Sequence, residues 1–81
     1  VKVRLLFFAV LRDIIGKGEA EVSLAEGTSA GDVWQSLRRN HAALASYEKP
    51  PMIAINESYA TPDTALREGD ELVFIPPVAG G

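Results

Sequence analysis

Glu71-Leu72-Val73-Phe74-Ile75-Pro76-Pro77-Val78-Ala79-Gly80-Gly81 decides how the rest of the chain is read. Side chains alternate across a strand with period two. Leu72 and Phe74 therefore point one way, into a core, and Glu71, Val73 and Ile75 point the other. Two consecutive prolines end the strand at Ile75, because proline has no N–H for a sheet and fixes its own φ. Each proline also drives the residue before it out of the α region. The expectation is an arm, 76–81, that leaves the fold extended. Its last four residues, Val78 to Gly81, reach at most about 13 Å. Gly80 and Gly81 remove side-chain bulk and allow φ/ψ values open only to glycine. Such an end can enter a slot too narrow for other residues, and there it presents the α-carboxylate of Gly81. Termini are commonly disordered; a strand feeding straight into two prolines argues instead for a stiff, aimed arm.

The other strongly apolar strand lies at the opposite end of the chain, over Val1 to Phe8. Val1, Val3, Leu5 and Phe7 share one face; Lys2, Arg4, Leu6 and Phe8 share the other. The two charges mark the second face as wet, so Leu6 and Phe8 are expected at a water-facing surface. Ala9 to Ile15 suits a short helical turn with Val10, Leu11, Ile14 and Ile15 on its inner stripe, closed by Gly16-Lys17-Gly18. Glu19 to Leu24 alternates again, with Ala20, Val22 and Leu24 inward, and reads as a second strand antiparallel to the first.

Between the two end strands lies the main helix, predicted over Ala30 to His41. Thr28 or Ser29 caps it, and Ser29-x-x-Asp32 has the spacing of a capping box. Ala30, Val33, Trp34 and Leu37 form its buried stripe. An irregular connection, 42–51, leads to a strand at Met52–Ile55. A turn at Asn56-Glu57 and a short edge strand at Ser58–Ala60 follow, then a turn at Thr61-Pro62-Asp63, a 3₁₀ turn near Leu66 and a turn at 67–70. The helix supplies the long crossover that a parallel pairing needs. The first and last strands therefore pair in parallel at the sheet centre. The prediction is an α+β, β-grasp (ubiquitin-like) roll, a mixed sheet with one main helix packed on one face, forming one domain over 1–81.

At 47% hydrophobic and 23% charged residues the chain is globular rather than disordered. The net charge of −3 argues against a nucleic-acid binder, which carries a basic stripe. No apolar run approaches a membrane span, and a cytoplasmic protein is the default expectation. There are no cysteines, so thiol chemistry would need sulfur from elsewhere. His41 is the lone histidine and has no serine and carboxylate at a triad spacing. Gly16-Lys17-Gly18 is a turn, not a phosphate loop. The carboxylates fall on exposed strand positions or turns, and none has metal-ligand spacing. The remaining chemical handle is the carboxylate of Gly81. It is ionised at neutral pH, with an ordinary pKa of about 3.3–3.7, and inert as an acyl donor until another protein activates it, most simply by adenylation with ATP.

Leu6-Phe7-Phe8-Ala9-x-Leu11-Arg12, Gly69-Asp70-Glu71 and Phe74-x-Pro76-Pro77-Val78-x-Gly80-Gly81 resemble the small subunits of molybdopterin synthase, a family of ubiquitin-like sulfur carriers. The resemblance spans the chain and is most specific in the tail. It implies that a ubiquitin-activating-type adenylyltransferase adenylates Gly81 and that a sulfur donor protein converts it to a thiocarboxylate. It further implies that the tail enters the large subunit of molybdopterin synthase, in a heterotetramer, and gives sulfur to cyclic pyranopterin monophosphate. ATP is then used by the activating enzyme, with no cofactor or metal bound by this chain and no nucleic-acid or membrane partner. In the family the position before the first proline is often a second aromatic; here it is Ile75. Two other readings remain open: a sulfur carrier for thiamin or tRNA thiolation, and a ubiquitin-like protein modifier or interaction module.

Parallel pairing of the end strands would gather Leu6, Phe8, Val73 and Ile75 at one end of the open face, bordered by Met52 and Tyr59. These residues, Leu6, Phe8, Tyr59, Val73 and Ile75, are the expected partner-binding surface. Pro76, Pro77, Val78, Ala79 and Gly80 are the residues expected to thread into the partner. The competing expectation is that 42–51 folds over this face and buries it.

Overall fold

The computed structural model describes residues 1–47 and 51–76. Strand β1 (Lys2–Phe7) leads through helix α1 (Ala9–Ile15) to β2 (Glu19–Ser23), and helix α2 (Ala30–Asn40) follows. A 3₁₀ turn (Ala42–Leu44) precedes β3 (Met52–Ile55), β4 (Ser58–Ala60) and β5 (Glu71–Ile75). The five strands form one sheet in the order β2-β1-β5-β3-β4. β5 is parallel to β1 and antiparallel to β3, so the strand that closes the fold occupies its centre. Leu72 and Phe74 are accordingly fully buried, and β5 stops at the residue before Pro76.

The inward residues of the alternating strands meet the apolar stripe of α2. Val3, Leu5, Phe7, Ile53, Leu72 and Phe74 pack with Ala30, Val33 and Trp34, while Leu37 is half-buried beside them. Trp34 lies 5.2 Å from Phe74 between ring centroids, and Tyr47 meets it edge-on at 6.1 Å. Trp34 is thus a core residue. Leu44 of the 3₁₀ turn is also fully buried in this cluster. Residues 42–47 therefore pack on the helix side, and among the described residues nothing from that connection crosses to the open face.

Helix α2 begins at a complete capping box. Asp32 N–H donates to Ser29 Oγ at 3.1 Å, and Ser29 N–H donates to the Asp32 carboxylate at 3.0 Å. His41 ends the helix, its N–H donating to Leu37 O at 2.9 Å. Helix α1 ends at Gly16, whose φ of 89° lies in the left-handed region that a Cβ disfavours.

Two details differ from the sequence expectation. Val10 is exposed, and α1 turns Leu11, Ile14 and Ile15 inward instead. Leu11 centres the inner stripe, with Ile15 and Ile14 about 40° and 60° to either side, while Val10 stands about 100° from Leu11 and falls outside it. No 3₁₀ turn forms near Leu66. The chain there is extended: Ala65 bridges Ser29, Leu66 N–H donates to Thr28 O (2.9 Å), and Thr64 O accepts the Ala30 N–H (3.0 Å). Pairing with the loop before α2 satisfies these backbone groups, and Leu66 enters the core.

Candidate functional site: the open face of the sheet

The face of the sheet away from α2 is divided along β5. At the start of β5, Arg4 and Glu71 are partners in register, and Arg4 Nη2 donates to Glu71 Oε2 at 2.7 Å. Glu19 approaches Arg4 Nε at 3.8 Å. The Glu71 hydrogen bond, then the Glu71 charge and that of Glu19, hold the Arg4 guanidinium even more firmly protonated than usual. The hairpin between β3 and β4 ties into the same end. Asn56 and Glu57 take positive φ, as a two-residue hairpin turn of the I′ kind requires. Asn56 Oδ1 accepts the Glu71 N–H at 2.9 Å and Asn56 Nδ2 donates to Asp70 Oδ1 at 2.8 Å. The start of β5 is thus charged, internally bonded and fixed.

The other end is apolar. Leu6 and Val73 are partners in register, Val73 pairs with Ala54, and Ala54 pairs with Tyr59. These residues make a row across four strands on one face. Ile75 and Met52 pair one step further along. Leu6, Val73 and Ile75 are half-buried, Met52 is 58% exposed and Tyr59 76% exposed. Phe8, at 53% exposed, lies just past the end of β1 as the residue before α1. Continuing the register would set Phe8 beside Ile75, but β1 stops at Phe7, so Phe8 belongs to the corner and not to the ladder. The expected surface of Leu6, Phe8, Val73, Ile75, Tyr59 and Met52 is therefore brought to one end of one face.

Pro76 follows directly and is half-buried. Pro77, Val78, Ala79, Gly80 and Gly81, the remaining expected tail residues, lie outside the described residues. The sequence reading missed Ala54. It is 8% exposed and forms the floor between Val73 and Tyr59. Its place in the Met52–Ile55 alternation was the available signal.

Among the described residues there is no group of histidine, cysteine and carboxylate side chains that could hold a metal ion, and no helix is long and apolar enough to cross a membrane. The arrangement is an apolar patch, part exposed, beside the end of a central strand. The model of the ThiS family matches residues 5–81. The chain belongs to the ThiS family. Within that wider kinship it is 34% identical to the molybdopterin synthase sulfur carrier subunit of Chlamydomonas reinhardtii, with all of both chains covered. It is 33% identical to the subunit of the same name from Mycobacterium tuberculosis, covering 100% of this chain and 99% of the relative. Its fold is also that of SAMP1, a small archaeal modifier protein from Haloferax volcanii. The TM-score there is 0.83 at 27% identity, over all of both chains. The chain is thus similar both to proteins named as sulfur carriers and to one named as a protein modifier, on one β-grasp, ubiquitin-like frame.

Proposed function

We propose that this protein is the sulfur carrier subunit of a molybdopterin synthase, acting in the cytoplasm. The observation that carries the reading is the identity of 33–34% to subunits of that name, over all of this chain and 99–100% of theirs. The carboxylate of Gly81 is the working group. Ionised, it resists attack by a nucleophile. An adenylyltransferase of the ubiquitin-activating type joins it to AMP, using ATP and releasing pyrophosphate. Sulfur delivered by a donor protein at the sulfide level then displaces AMP as the leaving group and leaves a thiocarboxylate. The large synthase subunit receives the tail, and sulfur passes to cyclic pyranopterin monophosphate in building the dithiolene of molybdopterin. This chain contributes the docking end of the open face, the strand end at Pro76 and the carrier carboxylate; the catalytic side chains belong to its partners.

The deciding experiment is intact mass. After co-expression with the activating enzyme and sulfur donor of molybdopterin synthesis, the mass should rise by one oxygen-for-sulfur exchange. Incubation with the large subunit and cyclic pyranopterin monophosphate should reverse it and yield molybdopterin. A second reading, as a protein modifier, is favoured by the likeness to SAMP1. It predicts instead that Gly81 becomes joined to lysine amines of other proteins and that no thiocarboxylate is consumed by the large subunit.

A further inference from the structure

Strand β2 is the free edge of the sheet on the side away from β3 and β4. Its bonds to β1 are made by alternate residues. Leu24 N–H donates to Val1 O at 2.7 Å, Phe7 N–H donates to Gly18 O at 2.9 Å, and the register between these bonds places Ala20 and Val22 in the same class. The N–H and C=O groups of Glu19, Glu21 and Ser23 therefore point outward from the sheet. Arg4, the register partner of Glu21, confirms the phase by donating its N–H the other way, to Asp70 O at 2.9 Å.

On the helix side of this edge lies a groove whose apolar lining is Leu5, Val22, Leu24, Val33 and Leu37, with Asp32, Ser36, Arg39 and other polar side chains completing its wall. On the opposite side the same edge presents Glu19 and Glu21, both exposed. Arg4 is bonded to Glu71 and only approaches Glu19, and Glu21 has no ion-pair partner among the described residues.

We propose that β2 accepts an extended segment of a partner protein in which apolar and basic residues alternate. An added strand bonds to the outward backbone groups of Glu19, Glu21 and Ser23, and its side chains alternate between the two faces. The apolar set falls over the groove between β2 and α2. The basic set falls opposite Glu19 and Glu21, where unlike charges across a pair are favourable. A second copy of this chain is a poor occupant. Antiparallel pairing centred on Glu21 sets that carboxylate against its own copy, and like charges directly opposite are destabilising. The added strand lies outside β2, one strand away from Leu6 of β1 and two from Val73 of β5, and so does not cover them.

The test uses the full chain, isotope-labelled, and three blocked peptides followed by amide and methyl shifts. They are acetyl-Lys-Val-Lys-Val-Lys-Ile-amide, its counterpart with glutamate at each lysine, and the basic peptide with proline at its centre. The basic peptide should give saturable shifts at Glu19–Ser23, Leu24 and Leu37. It should bind at least about fivefold more tightly than the acidic one, and proline should abolish binding by removing an N–H. Glu21→Lys, an exposed edge change, should narrow or invert the preference between basic and acidic peptides. The proposal is overturned by equal binding of the two peptides, or by no saturable shift at millimolar peptide. Shifts confined to Leu6, Val73 and Tyr59, or dimerisation through β2 in the absence of peptide, would overturn it as well.

Discussion

Leu6 and Val73 stand side by side across the parallel pair of the first and last strands, on the face that no helix covers. A parallel pair cannot be closed by a hairpin, so the whole crossover through α2 is needed to bring them together. Each belongs to a strand whose opposite face is fully committed to the core through Leu5, Phe7, Leu72 and Phe74. Their apolar character therefore adds nothing to the α2 side of the sheet. It lies on the surface at the end of β5, beside Pro76.

Phe8→Glu is the direct test of that surface. Phe8 is 53% exposed, so its replacement should change stability by no more than about 0.5 kcal/mol. Binding to both the activating enzyme and the large synthase subunit should weaken, because a charge would be buried at an apolar contact. Thermal unfolding and a pull-down on the same preparation check this. Full binding by a folded variant places docking elsewhere, and loss of folding makes Phe8 part of the core.

The alternation in Val1–Phe8 and in 71–75 was legible because one face of each strand is buried, and period two then leaves its mark on the sequence. The capping box at Ser29 and Asp32 was legible because both partners are local. Leu66 was not. Its N–H is satisfied by Thr28 O, a bond across the fold that no neighbouring residue encodes. Val10 was misplaced because a helix of seven residues gives too few turns to define its buried stripe. The apolar patch on the open face was legible from apolar residues at water-facing positions, and Ala54 escaped because alanine is small enough to suit either face.

Gly31→Ala should destabilise the fold even though alanine is the better helix former by about 1 kcal/mol. A Cβ at Gly31 would meet Pro62 O at 3.0 Å and Pro62 Cβ at 3.2 Å. Pro62 has little room to retreat, because its carbonyl accepts the Gly31 N–H at 2.7 Å. Overpacking of this kind costs about 1–3 kcal/mol, so a net loss of about 1 kcal/mol is expected. Urea denaturation measures it; an unchanged or raised midpoint would show that the 61–64 turn moves freely.

Asp32 makes part of the stability pH-dependent. The Ser29 N–H first, and the Ser29 hydroxyl second, hold the Asp32 carboxyl below its ordinary range. A group whose folded pKa is depressed contributes its full stability above its unfolded value, about 3.9 for aspartate, and loses it as pH falls through the folded value. Asp32→Asn should therefore be less stable than the parent at neutral pH, and the gap should close below about pH 4. Denaturation at stepped pH reads this directly. A gap that persists unchanged into acid would mean that the carboxylate charge is not what stabilises the start of α2.

Gly80→Val tests the tail apart from the fold. The buried core of the described residues is complete by Phe74, so the unfolding midpoint should not move. A branched Cβ restricts the backbone and widens the arm just before the carrier carboxylate. Adenylation, or entry into the large subunit, should then fail while docking through the open face persists. Deleting Gly81 should abolish thiocarboxylate formation altogether. The two variants separate the two links, since docking is read by pull-down and carriage by intact mass. A Gly80→Val chain that is loaded with sulfur and unloaded at the parent's rate would remove the narrow-slot argument, and molybdopterin formation by a chain lacking Gly81 would remove the carrier assignment itself.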